Sequence, residues 1–213
     1  MTDPTPGERA YEALLQGSVC FDATVPRHLA RIGALELLLK LLDGRARWPE
    51  AVTLEWHRAK SPGSKDLRAQ LRRLGREAKV AAADEHEIED LRRESFTRGT
   101  LKTTTNRGEA ECVVLCERQQ WPLVIHDDTG IAWAERRGVP HFTVIDVLLA
   151  CARAGVLKPA KAWRVYEQLL QPIGERDNDR AGMFAVRGWP DTSVAKQRFM
   201  AAAADAYSRF QSP

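Results

Sequence analysis

Apolar and polar positions along this chain switch between two rhythms. Residues 17–24, GSVCFDAT, hold a short apolar run that closes on Asp22, the pattern of a buried strand. The next stretch, VPRHLARIGALELLLKLLDG, sets Leu29, Ile32, Leu35, Leu38 or Leu39, and Leu42 at helical spacing. Pro26 suits a first turn and Gly44 a stop, so one helix is predicted over 25–44. Residues 48–59, WPEAVTLEWHRA, start on a proline suited to a helix entry and run on helically. SPGS at 61–64 reads as a loop. Residues 65–79 predict a basic amphipathic helix with Leu67, Leu71 and Leu74 as its apolar line, and 84–95 a charged, exposed one. A polar loop is expected over 98–107.

The second half repeats a simpler alternation. Residues 108–120 predict a helix, 122–128 a strand, 129–138 a short helix closed by Gly138, and 139–145 a strand. A helix capped by Asp146 and stopped by Gly155 follows, then another over 158–171. Strands alternating with helices imply a parallel sheet covered on both faces. Residues 173–192 read as loop, and 193–210 as an Ala-rich helix. Its stripe of Val194, Phe199, Ala202, Ala203, Tyr207 and Phe210 must pack on its own domain or on a partner.

Composition narrows the class without naming a function. The 213 residues are 44% hydrophobic and 29% charged, as expected of a globular protein. No apolar run approaches the 18 residues of a membrane span, and the polar, acidic start MTDPTPGERA is unlike a signal peptide. Cys20, Cys112, Cys116 and Cys151 form no C-x-x-C pair, and three lie in apolar runs. Reduced, buried thiols in a cytoplasmic protein are the expectation. A net charge of +3 is too small to prove a nucleic-acid partner, so placement matters more than the sum.

Acids collect where strands end and helices begin. Asp22 ends the first strand, and Asp127 and Asp128 end a later one. Glu109 and Glu111 start a helix, and Glu55 lies on the segment before the basic helix. Ligands of open parallel sheets bind beyond the C-terminal strand ends. Six acids aimed at one such edge raise each other's pKa unless a cation neutralises them, and hard oxygen donors suit Mg²⁺ or Mn²⁺. Each acid also has a plain structural use: Asp22 as a turn or cap residue, Glu109 closing a capping box with Asn106, Glu111 at a helix N-terminus, Glu55 in solvent.

The same residues resemble a family. CFDATVPRHLARIGALELL is similar to the opening of PIN-domain nucleases, and WPEAVTLEW to their following P-x-x-V-x-x-E segment. NRGEAECVVLCERQQWPLVIHDD resembles the GEAE…DD run of a VapC-like branch, and GVPHFTVIDVLLACARAGVL the segment after it. The resemblance spans roughly residues 17–170. It implies a three-layer α/β/α sandwich around a mostly parallel sheet over residues 1–172, with 173–213 as a C-terminal helical extension. It also implies metal-dependent phosphodiester hydrolysis, usually of RNA, by Asp22, Glu55, Glu109 and Asp127, with Glu111 and Asp128 auxiliary. Two departures stand out: Ala132 and Trp133 occupy the helix after the paired acids, where an Arg is common, and Asp146 stands where Gly is usual.

Residues 58–79 carry Arg58, Lys60, Lys65, Arg68, Arg72, Arg73, Arg76 and Lys79 against Asp66 and Glu77. Lys102 and Arg107 follow before Glu109. Arg68, Arg72, Arg73, Arg76, Lys102 and Arg107 are the candidate phosphate contacts. The acidic DEHEIED segment could instead pair with this basic face. Trp56 and Trp133 are candidates to stack on bases, and His57 to touch substrate. The leading expectation is a cytoplasmic Mg²⁺- or Mn²⁺-dependent ribonuclease, the toxin of a toxin–antitoxin pair, with an antitoxin or a second copy as partner. The alternatives are a silent binding module of the same fold and a nuclease acting on DNA.

Overall fold

The computed structural model describes residues 12–60, 63–94, 106–170, 197 and 200–204. The chain divides into two compact units, Met1–Val144 and Ile145–Pro213.

The first unit is built on five short strands: β1 (Val19–Phe21), β2 (Ala46–Trp48), β3 (Gly75–Glu77), β4 (Leu123–Val124) and β5 (His141–Phe142). They form one sheet in the order β3-β2-β1-β4-β5, every neighbouring pair parallel. The helices are α1 (Thr24–Arg31), α2 (Leu35–Leu42), α3 (Glu50–Arg58), α4 (Ser64–Leu74), α5 (Glu85–Glu94), α6 (Arg107–Gln119) and α7 (Asp128–Arg136). The chain steps outward from β1 to β2 and β3, then returns past β1 to β4 and β5. Right-handed crossovers place the helices of the two excursions on opposite faces. Accordingly α1, α2 and α4 pack together, and α6 packs on α5 and α7. The result is the expected α/β/α sandwich. Its strand order reverses between β1 and β4, and that seam is where a doubly wound sheet opens a crevice.

The core follows from the sequence rhythm. All of β1 and β4 is buried, as a sheet covered on both faces requires. Leu29, Leu38 and Leu42 of α1 and α2, and Val113 and Val114 of α6, are fully buried. Cys20, Cys112 and Cys116 are buried free thiols where α6 meets β1, and the Cys112 Sγ donates to the Phe21 carbonyl at 3.5 Å.

Four sequence expectations need correction. The single helix over 25–44 is two. Gly33 adopts φ 70°, its N–H donates to the Ala30 carbonyl at 3.1 Å, and the Ala34 N–H reaches Leu29 at 2.8 Å. That Schellman pattern ends α1, and Leu35 starts afresh. The helix expected through 79 stops at Leu74, where Gly75 opens β3; a Cβ on Gly75 would lie 2.0 Å from the Ala46 carbonyl oxygen of β2. Residues 46–48, unassigned or helical in the sequence reading, are β2. Asp146 is no N-cap, because α8 (Val144–Arg153) begins two residues earlier.

In the second unit, α8 and α9 (Pro159–Leu170) carry buried Val147, Leu148 and Cys151, and Trp163, Tyr166 and Leu169. The Trp163 and Tyr166 rings sit 5.4 Å apart. Ala203 is buried in a helical stretch at 200–204. The 172/173 boundary expected from sequence, and most of the last helix, lie outside the described residues. No helix among them is long and apolar enough to cross a membrane.

Gly33 and Gly63 separate two effects. Both have positive φ, 70° and 80°, but a Cβ on Gly33 meets nothing within 4 Å, whereas one on Gly63 would lie 2.3 Å from the Ala30 carbonyl oxygen of α1. Denaturant unfolding should show Gly33→Ala costing ~1–2 kcal/mol. Gly63→Ala should cost more by roughly 1–3 kcal/mol, because backbone must shift. Equal losses would mean that the α1–α4 contact carries no strain.

Candidate active site

Asp22 and Asp127 stand on either side of the seam. The Asp22 N–H donates to the Val124 carbonyl at 3.1 Å, which fastens the end of β1 to β4. Asp22 Oδ1 then accepts from the N–H groups of Thr24 at 3.0 Å and Val25 at 3.4 Å, at the start of α1. Asp127 does the same for α7, its Oδ1 accepting from Thr129 at 2.9 Å and Gly130 at 3.2 Å. The plain capping role foreseen for Asp22 is therefore real, but it uses one oxygen. Asp22 is 1% exposed, and its Oδ2 is buried with no hydrogen-bond partner.

Glu109 and Glu55 come from helices. Glu109 lies in the first turn of α6 and does not close a capping box, since the Asn106 side chain makes no cap bond. Two glycines missed in the sequence reading let these acids approach. A Cβ on Gly108 would sit 2.5 Å from Glu55 Oε1, so any side chain there displaces that carboxylate. A Cβ on Gly130 would lie 2.1 Å from the Ile125 Cδ1 and 3.4 Å from the Glu109 Cβ. The signal was legible in principle: a glycine costs about 1 kcal/mol inside a helix and calls for a packing reason. Trp56, next to Glu55, donates its indole N–H to the Ala23 carbonyl at 3.0 Å, locking α3 against the start of α1. Trp56 and Trp133 are buried, so neither offers a face to a base. Trp56 instead packs edge-on against Trp48 at 5.0 Å.

The acids feel one another. Burial, then the charge of Glu109, pushes Asp22 up to about 7. Burial and Glu109 likewise push Glu55 up to about 7, against the opposing charge of Arg27. Glu109 is raised by burial and by Asp127, again opposed by Arg27. Arg27, half-buried on α1, is a third residue the sequence reading missed.

The remaining candidates are placed differently. Glu111 is buried and accepts from the Arg107 Nε at 2.6 Å and the Ala51 N–H, near the N-terminus of α3, at 3.4 Å. Arg107 also grips Glu85 through two bonds of 2.9 and 2.8 Å, so this guanidinium is held by carboxylates. Asp128 is exposed in the first turn of α7, and His57 is exposed on α3. Arg68 turns inward to the Trp56 and Ala59 carbonyls, both at 3.2 Å. Arg73 pairs with Glu36 at 3.4 Å. Arg72 and Arg76 are exposed, and neither joins an ion pair among the described residues. Lys102 lies outside those residues. The acidic segment does not cover the basic one: α5 and the turn before it pair through Asp84, Glu85, Glu87 and Glu94 with Arg118, Arg107, Arg137 and Arg136.

Among the described residues no set of three or more His, Cys, Asp or Glu side chains already stands as a metal-holding group. The donors nevertheless suit a hard cation. All are carboxylates, they crowd one another's charge, and the buried Asp22 Oδ2 needs a positive partner that no described side chain supplies.

A family model described as a PIN domain matches residues 18–172 of the chain. No curated protein and no solved structure matches it.

The metal-free chain should become less stable as pH rises. The folded Asp22 pKa lies above its unfolded value, so stability is full below about 4 and is lost as pH climbs through about 7. Asp22→Asn keeps an acceptor for Thr24 and removes that titration. In chelator, urea unfolding should find the variant more stable than wild type at pH 8 by on the order of 2–4 kcal/mol, and about equal near pH 4. A variant less stable at both pH values would show that Asp22 ionises without penalty.

Proposed function

The chain belongs to the PIN-domain family, whose members are in general nucleases, and we propose that it is a divalent-metal-dependent endoribonuclease acting as the toxin of a toxin–antitoxin pair. The observation that carries this reading is the unsatisfied Oδ2 of Asp22 at the strand-order reversal, crowded by the charge of Glu109. Burying a carboxylate without a partner is costly, and a chain that keeps one at a crevice mouth is organised to receive a cation.

Asp22, Glu55, Glu109 and Asp127 are the residues that would hold Mg²⁺ or Mn²⁺, with Asp128 auxiliary at the rim. When bound, the metal supplies Lewis-acid activation of water and charge stabilisation at the leaving oxygen. The chain's own part is positional. Asp22 and Asp127 are each fixed by two backbone N–H groups, so their free oxygens are oriented before any ligand arrives. Gly108 and Gly130 keep the α6 acids in register with Glu55 and Ile125. Glu111 is better used holding Arg107 and α3 than holding an ion.

Arg72 and Arg76, with Lys65 and Lys79, form an exposed basic strip along α4 and β3. In a parallel sheet the last turn of α4 leads into the start of β3, the end opposite to the acids. We assign this strip to RNA backbone away from the cleaved bond, where it would hold the flanking chain and not the reacting phosphate. RNA rather than DNA, the toxin role, and an antitoxin or second copy as partner complete the proposal.

Amide variants test it. Asp22→Asn, Glu55→Gln, Glu109→Gln and Asp127→Asn should each lower metal-dependent RNA cleavage at least ~100-fold without lowering the melting temperature. Glu111→Gln should behave in the opposite way, keeping most activity while losing ~1–3 kcal/mol of stability. The amide keeps one acceptor oxygen, turns an NH2 donor toward either Arg107 or the Ala51 N–H, and removes the charge paired with Arg107. Full activity in Asp127→Asn would refute the site, and cleavage of DNA alone would refute the substrate. Induced expression of wild type should arrest growth and Asp22→Asn should not; harmless wild type would remove the toxin role while leaving the chemistry standing.

A further inference from the structure

Arg27 occupies a position that the acids alone do not explain. It lies one helical turn beyond Asp22 and Ala23, on α1. The start of that helix is fixed twice over. Asp22 Oδ1 accepts from the Thr24 and Val25 N–H groups, and the Ala23 carbonyl accepts from the Trp56 indole. Ala23 O is also the acceptor that a helix offers to the N–H of residue 27. Arg27 is therefore carried on the same short frame that sets Asp22 against α3 and Glu55.

Its side chain is half-buried, yet among the described residues it joins no ion pair. That separates it from Arg73, Arg92, Arg107, Arg118, Arg136 and Arg137, each held by a carboxylate. Its place one turn after Ala23, whose carbonyl holds Trp56 beside Glu55, puts it on the α3 side of α1, and its charge acts on acids of two other helices, Glu55 on α3 and Glu109 on α6. Arg58 also acts on Glu55 but is exposed. Across the seam, the first two turns of α7, DTGIAWA, contain no cation.

A phosphodiester entering a crevice of carboxylates meets repulsion at its non-bridging oxygens, and negative charge there must be stabilised as the bond breaks. A guanidinium offers two parallel donors matched to phosphate geometry. We propose that Arg27 orients the scissile phosphate, donating from α1 to a non-bridging oxygen and supplying from this side the cation that α7 lacks. This rests on the nuclease reading and deepens it by naming the substrate contact.

The test uses the full chain with Arg27→Met, which keeps the apolar stem, and Arg27→Lys. Single-turnover cleavage of single-stranded RNA with saturating Mn²⁺ should fall by roughly 10²–10³-fold in Arg27→Met. Arg27→Lys, or free guanidinium added to Arg27→Met, should restore part of it. Calorimetric Mn²⁺ affinity should be unchanged or tighter, because a like charge has been removed. In the Asp22→Asn background, adding Arg27→Met should weaken fluorescent-RNA binding by roughly tenfold or more. An Arg27→Met rate within threefold of wild type overturns the proposal. So does a deficit that extra Mn²⁺ abolishes, since Arg27 would then act only through the acids. A wild-type chain that cleaves neither RNA nor DNA defeats the nuclease reading itself, and this assignment with it.

Discussion

A carboxylate oxygen sealed from water needs a donor or a cation, and Asp22 Oδ2 has no partner within the described fold. Much of the first unit is arranged around that oxygen. The other half of the same carboxylate starts α1, the Asp22 backbone ties β1 to β4, and the neighbouring Ala23 carbonyl receives Trp56 from α3. Loosening Asp22 would therefore free two helices and a strand pair at once. That is why its position is held even though its charge is unfavourable there. Charging Asp22 costs the metal-free fold stability, and a bound cation would reverse the sign of that contribution.

Charge is sorted across the molecule in a way that keeps this crevice acidic. The acids of α5 and its preceding turn are taken up by Arg107 and Arg118 on α6 and by Arg136 and Arg137 at the end of α7. Exposed pairs of this kind add little stability singly, but a network of them fixes how α5 lies on its neighbours. It also removes the carboxylates that would have neutralised the basic strip on α4 and β3. The strip thus stays open while the acidic segment is spent elsewhere. Arg27 is the exception to the sorting, a half-buried cation left beside acids and not bound to them.

The legible part of this architecture was the part with local signals. An apolar run closing on Asp22, another closing on Asp127, and the long apolar face of α6 were each readable within a dozen residues. β2 and β3 were not: each has three residues with an arginine, Arg47 or Arg76, at its centre, too short to show a period of two. The break at Gly33 was hidden because Ile32 and Leu35 continue the helical spacing across it. The roles of Glu111 and Arg107 depended on Ala51 and Glu85, 60 and 22 residues away, which no local pattern reveals. Arg27 looked like an ordinary helix residue until the fold brought Glu55 and Glu109 to it.

The central claim is that the crevice is completed by a divalent cation held through Asp22. Thermal unfolding of wild type and Asp22→Asn across a Mn²⁺ titration at pH 8 tests it most directly. A ligand at ~100 times its dissociation constant should stabilise the wild-type fold by about 2.7 kcal/mol, with a concentration-dependent midpoint, and leave Asp22→Asn nearly unmoved. A wild-type midpoint that ignores Mn²⁺, or an equal rise in both proteins, would contradict the account.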